Sequence, residues 1–270
     1  MRKNTIFAAF ILLCLLFSPG CSRREARGEP RGLQDLNNRV LGVLVSPLLI
    51  RPQDVQDDKE FLPSEVRAFS TSTDLLTALK TRRVDAMLTT TETSRFLISA
   101  DANLDVIDVN RSSSGLRMIL RDTDTALLTE LNAGIEVLRA KGVLDRLYGQ
   151  YITNVTVDNL AVAPAELPLI EGAQTILVGI NGDLPPYDYI SADGRPAGFN
   201  VALMSELSRV LGKNIQFVTI PSDARFSALL SKNTRRMDLF FWFYGNLYMD
   251  SLVLTEAYAE VDECILVRKE

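Results

Sequence analysis

Few side chains in this sequence are of the types that carry out covalent catalysis. The 270 residues include no histidine and only three cysteines, Cys14, Cys21 and Cys264, none of them in a Cys-x-x-Cys pair. Histidine-activated nucleophiles, histidine-ligated metals and dithiol redox motifs are therefore excluded. The hydroxyl-rich segment Thr89–Ser94 has no neighbouring base that could activate a nucleophile. We therefore expect a protein that is not an enzyme and that holds no cofactor and no metal.

The acidic residues and the net charge narrow the function further. Asp85 and Asp238 each stand at the start of a predicted strand, where a carboxylate accepts backbone hydrogen bonds more readily than it serves as an acid or base. The chain has 29 Lys and Arg against 34 Asp and Glu, a formal net charge of −5. A nucleic-acid partner is not expected, because its phosphates require a basic face.

The N-terminal segment is typical of an export signal. Two basic residues precede the uncharged apolar run Ile6–Phe17, which is shorter than the roughly 20 residues of a spanning helix but fits the apolar region of a secretory signal. The run leads to Gly20-Cys21, which resembles the processing site of a bacterial lipoprotein. We predict that residues 1–20 are removed and that Cys21 is acylated and anchors the chain to a bacterial membrane outside the cytoplasm. A plain signal peptide or an N-terminal anchor is the alternative.

The remainder of the chain has the pattern of an α/β fold. Short apolar runs predict strands at 40–45, 84–88, 104–109, 116–120, 176–180, 215–220, 237–244 and 263–267. Periodic segments between them predict helices at 75–80, 127–138, 143–151, 201–211 and 226–231. The polar segment 21–34 is predicted to be a flexible tether, and 153–174, which lacks periodicity and contains two prolines, a linker.

The second half of the sequence carries a specific series of motifs. In order, these are Val178-Gly179, Pro185-Pro186-Tyr187-Asp188-Tyr189, Gly198-Phe199-Asn200-Val201, Met237-Asp238 and Leu254-Thr255-Glu256-Ala257-Tyr258. Together they resemble the opening half of the extracytoplasmic solute-binding proteins of amino-acid ABC importers, family 3. The resemblance implies a type II periplasmic-binding-protein fold, in which two α/β lobes close over a small ligand by bending at a hinge.

The first half of the sequence resembles the second half of the same family. The matching segments are Val40–Val45, Ala78–Ala86 and Leu127–Ile152. The halves therefore stand in swapped order, which indicates a circular permutation of one two-lobed domain. Two unrelated half-domains are the alternative.

The permutation implies a definite division of the chain. Residues 35–114 would form lobe II, residues 115–152 and 175–270 would form lobe I, and 153–174 would join the ancestral termini. The hinges would lie near 115–120 and in the C-terminal strand. Permutation is tolerated where the original termini are exposed and close together.

The resemblance also places a ligand site, and the sequence departs from the family there. The family binds an amino acid's carboxylate with an arginine shortly after the strand of Asp238, but no Arg or Lys occurs between Asp238 and Arg268. Thr90 or Thr91 stands where the family has an ammonium-binding Asp, and Asn181 replaces another Asp. The expected ligand-binding residues are Ser46, Thr90, Thr91, Asn181, Leu184, Tyr187, Trp242, Asn246 and Tyr248.

The missing charges predict a solute other than a standard amino acid. An unpaired buried charge costs several kcal/mol, so a small non-zwitterionic solute fits such a cleft better. We predict a lipid-anchored solute-binding protein that delivers this solute to an ABC permease. The alternative is a degenerate scaffold that acts as a sensor or interaction module without transport. The rings of 240–244 and Tyr187 could also pack the core instead of contacting a ligand.

Overall fold

The computed structural model describes residues 28–44, 61–108, 114–153, 155–159, 165–231, 236–242 and 249–269. These residues form two mixed sheets with helices packed against them, and a small three-stranded ribbon. The α/β class predicted from the sequence is confirmed. None of the described helices is long and apolar enough to cross a membrane.

The first sheet is built mainly from the first half of the chain. In spatial order its strands are β2 (Glu65–Phe69), β1 (Val40–Leu44), β3 (Ala86–Thr90), β14 (Glu263–Arg268) and β4 (Leu104–Asp108). Strands β1, β2 and β3 are parallel, whereas β14 runs antiparallel to both of its neighbours. Helices α1 (Ser72–Lys80) and α2 (Thr91–Ala100) pack against this sheet, and we call sheet and helices the first layer.

The second sheet combines strands from both halves of the chain. In spatial order its strands are β10 (Asn214–Thr219), β6 (Thr175–Ile180), β11 (Leu239–Trp242), β5 (Ser114–Arg121) and β12 (Leu252–Leu254), and β13 (Ala259–Val261) also pairs with β5. Its helices are α3 (Thr125–Ala140), α4 (Val143–Tyr148), α5 (Phe199–Leu211) and α6 (Arg225–Leu229). The ribbon consists of β7 (Asp183–Leu184), β8 (Asp188–Ile190) and β9 (Pro196–Ala197). Together these elements are the second layer.

Apolar residues cover both faces of the second sheet. Along β5, Leu116, Met118 and Leu120 lie in the cluster formed with the long helices, whereas Ile119 lies in the cluster on the other face. Strand β11 alternates in the same way: Phe240 joins the cluster of Ile119, and Phe241 the opposite one. The rings of Phe240 and Phe241 therefore pack the core, as the alternative interpretation of this aromatic run expected.

The last strand departs from the expected division of the chain. We expected 175–270 to lie with 115–152, but β14 pairs with β3 and β4 in the first sheet. The residues Cys264–Val267 are all buried, so this strand needs a neighbour on each side. A buried apolar run indicates that a strand lies in the interior of a sheet, but it does not indicate to which of the two sheets the strand belongs.

The end of the expected tether is also part of the folded body. Residues 21–34 were predicted to be flexible, but Glu29 accepts hydrogen bonds from Arg268 at 2.7 and 3.1 Å and from Arg82 at 2.9 Å. Burial raises the pKa of Glu29, but the two arginines outweigh it and lower the pKa below its usual value. The charged composition of this segment predicted that it would be exposed to solvent. The sequence did not reveal the ion pairs of Glu29, because Arg82 and Arg268 are distant from it along the chain.

The linker lies against both layers. Val155 is buried among the apolar residues of the first layer, and the backbone N–H of Val157 donates to Ser99 Oγ at 3.0 Å. Farther along, the backbone N–H of Ile170 donates to Asn214 Oδ1 at 2.8 Å in the second layer. Between them, residues 160–164 lie outside the described part of the chain.

Candidate functional site

A small cavity lies where the two layers meet. It has a volume of ≈ 40 Å³ and lies at the carboxyl ends of the parallel strands β1, β3 and β6, where open α/β sheets bind ligands. Its lining consists of Leu44, Met87, Leu88, Thr89, Thr90, Thr93, Asn181, Leu184, Tyr187, Arg225 and Glu263. Both layers thus contribute residues to one cavity.

Two larger hollows lie elsewhere and are more open. One of ≈ 640 Å³ has Arg121 in its wall, which is ion-paired with Asp124 at 2.7 Å and Asp238 at 3.3 Å. The other, of ≈ 410 Å³, contains Glu29 and Arg268, which are paired with each other. Because these charged groups bind one another, the smaller cavity between the layers is the better candidate site.

Tyr187 reaches this cavity because the start of α5 packs closely against the Pro-Pro-Tyr segment. The backbone N–H of Asn200 donates to the carbonyl oxygen of Tyr187 at 2.9 Å. A Cβ atom at Gly198 would lie 2.5 Å from that same oxygen, and Gly198 has a φ of 107°. Only glycine allows this approach, so the motif Gly198-Phe199-Asn200 fixes the position of the tyrosine.

A buried carboxylate fixes the neighbouring loop. Asp188 Oδ1 accepts hydrogen bonds from the backbone N–H groups of Asn181 at 2.8 Å and Gly182 at 3.2 Å, and Oδ2 accepts one from Asn200 Nδ2 at 3.1 Å. Burial raises the pKa of Asp188, and these hydrogen bonds together with the charge of Arg225 offset part of that rise. Asp188 therefore positions Asn181 at the cavity.

Tyr187 makes the principal polar contact between the layers. Its hydroxyl donates to Glu92 Oε2 at 2.9 Å and lies 3.1 Å from Thr90 Oγ1. The other oxygen of Glu92 accepts a hydrogen bond from the hydroxyl of Tyr148 at 3.0 Å. Burial, followed by the charge of Glu92, raises the pKa of both tyrosines, so both remain neutral donors at neutral pH. Glu92 is thereby held by two residues of the opposite layer.

Two further hydrogen bonds join the layers beside the cavity. The backbone N–H of Thr73, in the first turn of α1, donates to Asp183 Oδ2 at 2.9 Å. The backbone N–H of Ser222 donates to the carbonyl oxygen of Ser70 at 3.0 Å. With the tyrosine contacts, these bonds hold the layers directly against each other.

The second layer also presents a cation to the cavity. Arg225 begins α6, and its guanidinium carbon lies 5.2 Å from the ring centroid of Phe240. Its Nη2 donates to Ser222 Oγ at 2.9 Å, and Ser222 Oγ donates in turn to Asn181 Oδ1 at 3.2 Å. This series of bonds holds Arg225 and Asn181 in fixed positions relative to each other.

Four of the expected ligand-binding residues come together in the lining: Thr90, Asn181, Leu184 and Tyr187. Thr91 lies just outside it, at the start of α2, where its backbone N–H donates to the carbonyl oxygen of Asp262 at 2.9 Å. Trp242 ends β11, and the position of its side chain is not described. The expected residues Ser46, Asn246 and Tyr248, and the expected lipidation site Cys21, lie outside the described residues.

Sequence reasoning missed the charged residues of this site. Arg225 and Glu263 line the cavity, and Glu92 lies beside it, but none of the three was expected there. The family's cation follows the strand of Asp238, whereas Arg225 precedes that strand. Among the described residues, no group of three or more Cys, Asp or Glu side chains could hold a metal ion.

Comparison with known proteins supports the resemblance noted in the sequence. Residues 176–241 match the family of bacterial extracellular solute-binding proteins, family 3. This segment covers β6 to most of β11 and includes Asn181, Leu184, Tyr187 and Arg225 of the cavity. No curated protein matches the chain.

The solved structures that are similar to this chain are distant from it. One is the ligand-binding component of an ABC-type import system from Staphylococcus aureus, solved with zinc bound, with 11% identity over 86% of this chain and 66% of that chain and a TM-score of 0.43. A second is the GluR0 ligand-binding core with L-glutamate, with 11% identity over 86% of this chain and 85% of that chain and a TM-score of 0.39. A third is the BenM effector-binding domain with benzoate, with 11% identity over 86% of this chain and 83% of that chain and a TM-score of 0.38.

Proposed function

We propose that this protein is a solute-binding protein that captures a small molecule between its two lobes outside the cytoplasm. The observation that carries the proposal is the cavity at the carboxyl ends of β1, β3 and β6, lined by side chains from both layers. The family match at 176–241 supports the same function. Delivery of the solute to an ABC permease, and anchoring to the membrane through Cys21, belong to this proposal.

The layers correspond to the two lobes, in the permuted order. Lobe II is proposed to be 35–114 completed by β14, and lobe I to be 115–152 with 175–261, joined by the linker 153–174. This division is supported by the pairing of β5 with β11, which pairs in turn with β6. The chain passes from the second sheet to the first at Asp262, between β13 and β14, so closure would bend the protein there.

A solute without an ammonium group suits the side chains of this cleft. Glu92 is the buried acid that reaches across it, and each of its oxygens already accepts a tyrosine hydroxyl. Two of the acceptor positions of Glu92 are thereby used, so it offers an ammonium group less than an unpaired carboxylate would. Lactate and alanine are matched probes for this point, since they differ in the hydroxyl or amino group on the α-carbon. The proposal predicts that lactate is bound more tightly than alanine.

Thermal unfolding with a broad metabolite library tests solute binding itself. A ligand that binds only the folded protein at 100 times its Kd adds about 2.7 kcal/mol to the free energy of unfolding. Leu184→Trp would fill the cavity, because Leu184 is buried in its wall, and Val210→Trp is a control at an exposed position on α5. Stabilisation should occur in the wild type and in Val210→Trp but not in Leu184→Trp. An equal shift in all three proteins would place the solute elsewhere.

A second function is favoured by the small size of the cavity. At ≈ 40 Å³ it holds little more than a water molecule, and Tyr187 bridges to Thr90 and Glu92 beside it. A scaffold that acts as a sensor or interaction module and binds no solute would have such a small cavity between its lobes. It predicts that no compound in the library stabilises the protein and that the gene does not lie beside permease and ATPase genes.

A further inference from the structure

Asn181 holds a buried hydrogen-bond donor without a partner. The residue is 8% exposed and lines the cavity, and its Nδ2 makes no hydrogen bond to any described residue. Leaving such a donor unsatisfied costs about 1–3 kcal/mol, so buried amide groups in folded proteins almost always have an acceptor. A bound solute that presents an oxygen at this point would satisfy it.

The surrounding hydrogen bonds explain why the Nδ2 of Asn181 is the group that remains available. Ser222 Oγ accepts a hydrogen bond from Arg225 Nη2 at 2.9 Å, and its own proton is then directed to Asn181 Oδ1 at 3.2 Å. The oxygen of the carboxamide is thereby used inside the protein. In the same way, the backbone N–H of Asn181 donates to Asp188 at 2.8 Å. Only the Nδ2 of this side chain is left for a ligand.

Arg225 places a positive charge beside this donor. The guanidinium is half-buried, lines the same cavity, and is held by the Phe240 ring and by Ser222. An arginine stays charged at all physiological pH values, and its planar donors match the two oxygens of a carboxylate. The neutral donor of Asn181 and the charged donors of Arg225 therefore act on one side of the cleft.

The opposite wall offers hydroxyl groups and one acid. Thr90 and Thr93 line the cavity from the start of α2, and Glu263 lies opposite Thr90 in the register of β14 and β3. Glu263 already has an interaction within the protein. The donor groups and the positive charge are thus contributed by the second layer, and the acid by the first.

We infer that Asn181 and Arg225 together bind a carboxylate group of the solute. The inference rests on the proposed solute-binding function and specifies the chemical class of the ligand. It places this contact on the loop after β6 and at the start of α6, instead of the segment after β11. The remainder of the solute would then lie against Leu184, Met87 and the threonine hydroxyls.

Matched small molecules test this assignment by isothermal titration calorimetry. Lactate, pyruvate and benzoate each carry a carboxylate, and lactamide, pyruvamide and benzamide are their neutral counterparts. We expect at least one carboxylate to bind more tightly than its amide by roughly 10- to 100-fold, the range for loss of a charged hydrogen bond. Equal binding of acid and amide would overturn the inference while leaving the solute-binding function intact.

Variants locate the contact. Arg225→Gln should weaken binding of the carboxylate by roughly 10- to 100-fold, and Asn181→Leu by roughly 10-fold. Arg225→Lys should recover part of the loss because it keeps the charge without the planar donor pair. The control is Arg209→Gln, which removes an arginine on α5 that is bonded to Ser205, outside the cavity lining. Unchanged affinity in Arg225→Gln would overturn the inference.

A measurement on the wild type avoids any effect of the variants on folding. The side-chain ¹⁵N signals of Arg225 Nε and Asn181 Nδ2 should both shift as a carboxylate from the panel is added. If none of the three carboxylates shifts both signals, the inference is wrong. The solute-binding function would then still stand if a neutral compound from the metabolite library stabilises the protein, and it would fall if no compound does.

Discussion

Tyr187→Phe tests whether the two layers are held together by the contacts described above. The substitution removes one oxygen atom and leaves the fully buried ring in place. It deletes the hydrogen bond to Glu92 Oε2 at 2.9 Å and the contact with Thr90 Oγ1 at 3.1 Å. The hydroxyl of Tyr148 remains bonded to Glu92 at 3.0 Å, so the carboxylate keeps one of its two donors.

The expected loss follows from the type of hydrogen bond. A hydrogen bond to a charged group contributes about 1.5–3 kcal/mol, against about 0.5–1.5 kcal/mol for a neutral one. We therefore expect Tyr187→Phe to lower the free energy of unfolding by about 2 kcal/mol. Tyr148→Phe should cost less, because Tyr148 is half-buried and water can replace its hydroxyl.

Urea unfolding at neutral pH measures the effect, with the free energy obtained by linear extrapolation. Tyr151→Phe is the control, since it removes a hydroxyl from another buried tyrosine that is outside the cavity lining. A double-mutant cycle with Glu92→Gln isolates the interaction between Tyr187 and Glu92. A loss below about 0.5 kcal/mol, the range of ordinary surface substitutions, would refute the reasoning, as would the absence of coupling in the cycle.

Three further predictions concern pH and packing. Burial raises the pKa of Tyr187 and Tyr258 well above the unfolded value of about 10, so stability is retained below that pH and lost as the pH rises above it. Compared with Tyr187→Phe and Tyr258→Phe, the wild type should show the phenolate absorbance of these two rings only together with unfolding. Ionisation of the two rings before unfolding would contradict this. The arginine partners of Glu29 lower its pKa, so its contribution to the free energy of unfolding is present above about pH 4.3 and is lost as the pH falls. Glu29→Gln should therefore destabilise the protein at pH 7 and have a smaller effect at pH 3. Chemical unfolding at both pH values measures the difference. Gly198→Ala places a Cβ atom 2.5 Å from the carbonyl oxygen of Tyr187 and should lower the free energy of unfolding by about 1–3 kcal/mol. Gly149→Ala, at a position with open space, should lower it little. Equal unfolding midpoints of the two variants would be inconsistent with the described packing.

Most strands were predictable because they are buried on both faces. Runs such as Val40–Leu44 and Thr175–Ile180 consist almost entirely of apolar residues, which is typical of the interior of a mixed sheet. Helix α2 was missed because it begins with threonine and serine residues, which have low helix propensity. Its start is fixed by Thr90 Oγ1, which accepts a hydrogen bond from the backbone N–H of Thr93 at 3.3 Å.

The candidate site was predictable only in part. The motif at 185–189 pointed to Tyr187, and the segment after β3 to Thr90, because both stand at positions that the family uses. The partners of these residues could not be predicted in this way. Arg225, Ser222 and Asn181 come together only because β10 and β6 are adjacent parallel strands, so that the loops following them meet. The order of the strands in the sheet brings these residues together, and the periodicity of apolar residues in the sequence does not determine that order.

Native mass spectrometry of the freshly purified protein tests the central claim most directly. We expect the wild type to carry a small molecule and the Val210→Trp protein to carry the same mass. The Leu184→Trp protein should lack it, because the larger side chain fills the cavity between the layers. The same bound mass in Leu184→Trp, or a wild-type protein that carries no small molecule and takes up none from a metabolite extract, would contradict solute capture in this cleft.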